Sequence, residues 1–111
     1  MNEKHEEADN GDVLLEILAA LANPHRLRVI AALQTGGRNY VSQLARDLNL
    51  SRPLLHLHLQ KLEAAGLVKS ALEVSADGKA LNFFEVTDFH IALSPGGVAH
   101  AARSLTPKSE G

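Results

Sequence analysis

The chain has 111 residues, 45% apolar and 22% charged, with a formal net charge of −2 and an isoelectric point near 6.3. That length suits one small domain with a modest core, and the composition excludes a polybasic or disordered class. With no cysteine there are no disulfides or thiolate metal sites, and the longest apolar run, Val13 to Ala22, is too short for a bilayer.

No signal peptide or lipid motif is visible, so the expected compartment is the cytoplasm. Glu3, Glu6, Glu7, Asp9 and Asp12 crowd the first dozen residues, leaving the remainder near neutral or slightly basic. Residues 1–11 read as a frayed acidic tail. Asp12 is the expected cap of a first helix running to about Leu21. This helix carries two apolar stripes: Leu14, Ile17, Leu18 and Leu21, and beside them Leu15, Ala19 and Ala22. A surface helix in a monomer needs only one stripe. The second suits either a central core helix or contact with another subunit.

Asn23 and Pro24 end that helix and cap the next, whose inward stripe is read as Leu27, Ile30 and Ala31. The second helix stops at Gly36–Gly37, and residues 38–40 form a short extended link. Val41, Leu44, Ala45 and Leu48 then follow the spacing of a buried helical face. Asn49 tolerates a left-handed turn, and Leu50 fills the gap between the helices. Ser51 caps the following helix, with Pro53 in its first turn. Leu55, Leu59 and Leu62 form its inner face, and Gly66 stops it in a Schellman arrangement that brings Leu67 against Leu62.

Beyond Gly66 the period becomes alternating. Val68, Leu72 and Val74 share one strand face, residues 75–79 supply turn chemistry around Asp77-Gly78, and residues 80–87 return as a second strand. Phe84 and Val86 lie on one face of that strand, Leu81 and Phe83 on the other. Residues 94–97, Ser-Pro-Gly-Gly, break the chain before a short last helix marked by Val98, Ala101, Ala102 and Leu105. Residues 106–111 are a polar tail, so the working domain spans residues 12–105.

These elements describe a mainly α fold with a small β-hairpin: a winged helix-turn-helix with about five helices and a two- to three-stranded wing. Three runs carry a more specific resemblance: LANPHRLRVIAAL (21–33), QLARDLNLS (43–51) and HLQKLEAAGLVKS (58–70). In order and spacing the chain resembles the ArsR-type bacterial and archaeal transcription regulators. The resemblance implies a homodimer built on the first and last helices, in keeping with Leu15, Ala19, Ala22, Val98, Ala101, Ala102 and Leu105 as interface residues. It also implies a second motif helix in the major groove and a hairpin tip along the DNA backbone. The family's thiolate metal box would fall near residues 39–42, which here read NYVS, so that effector site is not inherited.

Base contacts are expected from the outward positions Arg52, Leu54, His56, Leu57 and Gln60. Ser42, Gln43 and Ser51 suit phosphates near helix N-termini, and Lys61 and Lys79 supply charge. Arg52 suits either a guanine edge or a phosphate, and Lys61 suits phosphate or plain solvent equally. Leu54 and Leu57 depart from the polar residues common in the family; they suit a thymine methyl or a patch for a protein co-regulator.

Six histidines raise a metal question. His56 and His58 sit about 200° apart round a helix and cannot share an ion. His58 reads as hydrogen-bonded and partly buried, and His25 as exposed. Asp88, His90 and His100 resemble the interface ligands of some metal-sensing members and offer three N/O donors for nickel or zinc, although Arg103 stands where those members carry an acid. No nucleophile, phosphate loop or acid–base pair suggests an enzyme. The reading is a homodimeric, sequence-specific regulator binding double-stranded DNA at a (pseudo)palindromic operator. The alternatives are a protein-interaction module and a His/Asp metal sensor of the same fold.

Overall fold

A computed structural model describes residues 10–107. In chain order these form α1 (Gly11–Leu21), α2 (Pro24–Gly36), β1 (Asn39–Tyr40), α3 (Val41–Leu48), α4 (Arg52–Ala64), β2 (Val68–Val74), β3 (Ala80–Val86) and α5 (Pro95–Ala102). The architecture is the winged helix-turn-helix: five helices and a three-stranded antiparallel sheet in the order β1-β3-β2 among the described residues. The hairpin register runs from Val68 opposite Val86 to Val74 opposite Ala80, and the two-residue β1 sets Asn39 against Phe84 and Tyr40 against Phe83.

One core holds the helices to the root of the sheet. Val29 and Leu33 of α2, Leu44 of α3, and Leu55, Leu59 and Leu62 of α4 meet Leu67, Val68 and Phe84, all buried. The turn between α3 and α4 has the expected chemistry. Asn49 sits at φ 56°, Leu50 packs against the core, and the Ser51 hydroxyl accepts from the Leu54 N–H. At the other end of α4, Gly66 at φ 77° lets the Leu67 N–H reach the Leu62 carbonyl at 3.0 Å and its own N–H reach that of Glu63. Those two bonds are the Schellman pair.

The structure corrects several expectations. The first helix is capped by Asn10, whose Oδ1 accepts from the Val13 N–H at 3.1 Å. Asp12, two residues too late to cap, instead accepts from the backbone N–H and hydroxyl of Thr106. Asn10, Gly11 and Thr106 thus belong to the folded body; residues 1–9 and 108–111 of the expected tails lie outside the described residues. The inner stripe of α2 is Arg26, Val29, Ile30 and Leu33, while Leu27 and Ala31 are exposed. Arg26 takes the inner position because its guanidinium finds carbonyls left without partners at the C-terminus of α1: its Nε donates to the Ala20 carbonyl at 2.6 Å. Of the face shared by Val68, Leu72 and Val74, only Val68 is buried. The hairpin runs on beyond the helices, so nothing covers the outer two. Finally, Pro95-Gly96-Gly97 opens α5 instead of breaking the chain, because Ser94 caps it by accepting from the Gly97 N–H at 3.0 Å.

Candidate nucleic-acid interface

The placement of α4 follows from a division of its surface. Leu55, Leu59 and Leu62 are fully enclosed, and Val41, Leu44 and Ala45 of α3 press on the same core. That fixes the opposite side of α4 toward solvent. Arg52, Leu54, His56, Leu57 and Gln60 are exposed there together, and the side chains of Arg52, His56 and Gln60 make no hydrogen bond or ion pair within the described residues. A groove-reading helix needs such an arrangement: a backbone held rigid from behind, with donors left over in front.

The flanking candidates divide. Ser51 is exposed, and while its oxygen caps α4 its hydroxyl proton remains available to an acceptor. Ser42 is half-buried at the start of α3. Gln43 is engaged at both ends of its amide, accepting from Arg46 Nη2 at 2.6 Å and donating to Asp47 Oδ1 at 2.8 Å. Lys61 lines a cleft between α4 and α1 with Asp12 and Glu16. Lys79 stands exposed at the wing tip, in a turn closed by the Ser75 N–H donating to its carbonyl at 2.7 Å. The Ser75 hydroxyl and the Lys79 N–H hold the Asp77 carboxyl below its ordinary pKa, so a negative charge sits beside that lysine. At the wing root Arg38 lies over the Phe83 ring, 4.4 Å from its centroid, and pairs with Glu73 at 2.7 Å.

Leu15 and Ala19 of α1 and Ala22 just past its end are exposed, as are Val98, Ala102 and Leu105 at α5. With Leu14 and Leu18 most of them line an apolar groove between the two helices. Ala101 also borders that groove, but its side chain is buried within the chain, next to Gly11 of α1. The helices approach so closely that a Cβ on Gly11 would collide with the Ala101 carbonyl oxygen and come within 2.8 Å of Leu105 Cγ.

The histidines separate by environment. His56 is exposed and His58 buried. His25, expected in solvent, is half-buried with its ring centroid 5.4 Å from that of His58. His58 Nδ1 faces Arg26 Nη1 at 3.3 Å, and its Nε2 is buried without a partner among the described residues. Burial lowers the His58 pKa, and the charges of Arg26 and His25 push it the same way. Arg26 was not foreseen as a structural hub, although its place three residues before Val29 was a signal for the inner face. Asp88, His90 and His100 are not gathered: among the described residues no three His, Cys, Asp or Glu side chains converge as an ion requires. His100 Nδ1 instead lies 3.0 Å from Arg103 Nη2.

Comparison with known proteins agrees with this geometry. Residues 21–71 match the model of a helix-turn-helix domain family. An HTH-type transcriptional regulator of Methanocaldococcus jannaschii is 39% identical over 70 residues, covering 63% of this chain and 72% of that protein. The HTH-type transcriptional repressor SmtB of Mycobacterium tuberculosis is 34% identical over 94 residues; the match takes in 81% of this chain and 63% of the repressor's length. A transcriptional regulator homologue from Pyrococcus horikoshii superposes with a TM-score of 0.58 at 28% identity, covering 84% of this chain and 86% of the other.

Proposed function

The chain belongs to the ArsR-type winged helix-turn-helix transcriptional regulators, and from that premise we propose that it binds a (pseudo)palindromic operator as a homodimer. It is a transcriptional regulator with a helix-turn-helix DNA-binding domain; the mode of binding is our inference. The observation that carries it is the two-sided character of α4, enclosed leucines behind and unengaged Arg52, His56 and Gln60 in front. In this reading the first turns of α4 enter the major groove, Ser51 and Ser42 approach phosphates, and Lys79 follows the backbone at the wing tip. In this reading the working unit is residues 12–105 with Asn10, Gly11 and Thr106 at its edges, in the cytoplasm. No helix among the described residues is long and apolar enough to cross a membrane.

The homodimer reading rests on the apolar surface of Leu15, Ala19, Val98, Ala102 and Leu105, which the single chain leaves open. A two-fold axis through that surface would present two α4 helices to inverted half-sites. Selection of duplexes from a random pool by the purified protein tests both parts: an inverted-repeat consensus is expected. Arg52→Ala should then weaken binding by about 1–3 kcal/mol, the worth of a good base contact. An unenriched pool, or Arg52→Ala binding as tightly as the parent, would overturn the proposal.

A further inference from the structure

Leu54 and Leu57 stand on the solvent side of α4, 39% and 63% exposed, while the leucines behind them are fully enclosed. The core makes no use of either. Their i, i+3 spacing places their side chains next to each other, and Pro53 beside them is also exposed. The Leu54 N–H is tied to the Ser51 hydroxyl oxygen, which fixes the pair in the opening turns of the helix. Arg52, His56 and Gln60 share the same exposed side.

We propose that Leu54 and Leu57 are specificity residues that read the C5 methyl groups of thymines in each half-site. The inference rests on the DNA-binding reading above and adds the chemistry of the bases chosen. In the major groove the thymine methyl is the one apolar feature a base pair offers; guanine presents N7 and O6, and cytosine its N4 amino group. A leucine has no hydrogen-bonding group to give. Against a thymine methyl it removes two apolar surfaces from water together. Against a guanine or cytosine edge it strips water from polar atoms and returns no partner, so it discriminates by penalty as well as by attraction. A protein partner is the other occupant such residues could take. Two leucines among Arg52, His56 and Gln60 make a smaller apolar area than the contiguous patches that mark protein-binding surfaces.

Uracil in place of thymine removes the methyl and leaves every hydrogen-bonding group of the base intact, so it isolates the contact. The consensus duplex would be prepared with each thymine replaced in turn, and binding followed by fluorescence anisotropy. At one or two positions per half-site the substitution should weaken the parent protein about fourfold for each methyl lost. The Leu54→Ala, Leu57→Ala double variant, altered only at exposed positions, should be indifferent to the same replacement. If the parent binds the consensus but tolerates uracil everywhere, or if the consensus half-site holds no thymine, the inference is overturned and the DNA-binding reading stands. Uracil tolerance together with self-association that the double variant abolishes would assign the leucines to a protein contact, again overturning it. Failure to enrich any duplex would remove the DNA-binding reading and this inference with it.

Discussion

Arg26 Nη1 lies 3.3 Å from His58 Nδ1 while the Nε of the same guanidinium donates to the Ala20 carbonyl at 2.6 Å, so a single side chain of α2 joins the end of α1 to the middle of α4. Its other terminal nitrogen also reaches the Ala19 carbonyl, at 3.4 Å. Arg26→Ala should therefore destabilise the fold by about 2 kcal/mol, in the range of a charge-assisted hydrogen bond lost from a part-buried site. Arg26→Lys should recover little, because an ammonium cannot span acceptors on two helices as the planar fork does. Urea denaturation measures both; an unchanged midpoint in Arg26→Ala would deny the joint its role.

Acid should weaken the same joint. The pKa of His58 is held below its ordinary 6.5, first by burial and then by the charges of Arg26 and His25. The unfolded chain therefore takes up a proton at higher pH than the folded chain does, and stability rises with pH across the interval between the two values. The contribution of neutral His58 is complete above the unfolded value and is lost as pH falls from there through the lowered folded value. His58→Leu should flatten this part of the stability profile, and denaturation midpoints at a series of pH values would display it. Parallel profiles for the parent and the variant would contradict the assignment.

Gly11 meets α5 where no side chain fits. A methyl group there would strike the Ala101 carbonyl oxygen, which is backbone and cannot swing aside. Gly11→Ala should force α1 and α5 apart and cost about 1–3 kcal/mol, the usual range for overpacking. Because both helices border the proposed dimer surface, sedimentation of the variant should also show weaker association. Thermal unfolding identical to the parent would show that the helices are not in register here.

Few cations stand on the exposed side of α4 proposed to meet DNA. With about 4–6 phosphates neutralised per dimer, log K should fall against log salt with a slope of about −4 to −5. Lys79→Ala should reduce that slope by about 1 per wing without altering the consensus. Binding insensitive to salt would contradict the placement of the wing.

The helix-turn-helix was legible because its signals are local and mutually consistent. Asn49, Ser51 and Gly66 each satisfy a backbone requirement at the position where it arises, and Leu55, Leu59 and Leu62 repeat at the helical period. The phase of α2 was not, because Leu27 and Arg26 compete for one inner position and the winner is decided by the carbonyl end of a different helix. The same holds for the cap of α1: Asn10 and Asp12 are both good caps in isolation, and only Thr106, far along the chain, claims Asp12. Exposure on the hairpin was equally hidden, since alternation tells which side chains share a face and says nothing of whether another layer covers it. Which side chains of α4 are exposed followed from the helical period alone, but the place of Lys61 in a cleft with α1 and the occupation of Gln43 by Arg46 and Asp47 depend on neighbours that spacing does not reveal.

The middle strand is sewn to the motif at both ends: β1 pairs with β3 immediately before α3, and the Thr87 N–H and hydroxyl reach the Leu67 and Gly66 carbonyls immediately after α4. Probe and outrigger thereby form one stiff caliper. In the proposed binding mode a duplex gripped by both would have to present groove and strand at a set offset, so the pitch of the double helix would become a quantity gauged alongside its letters.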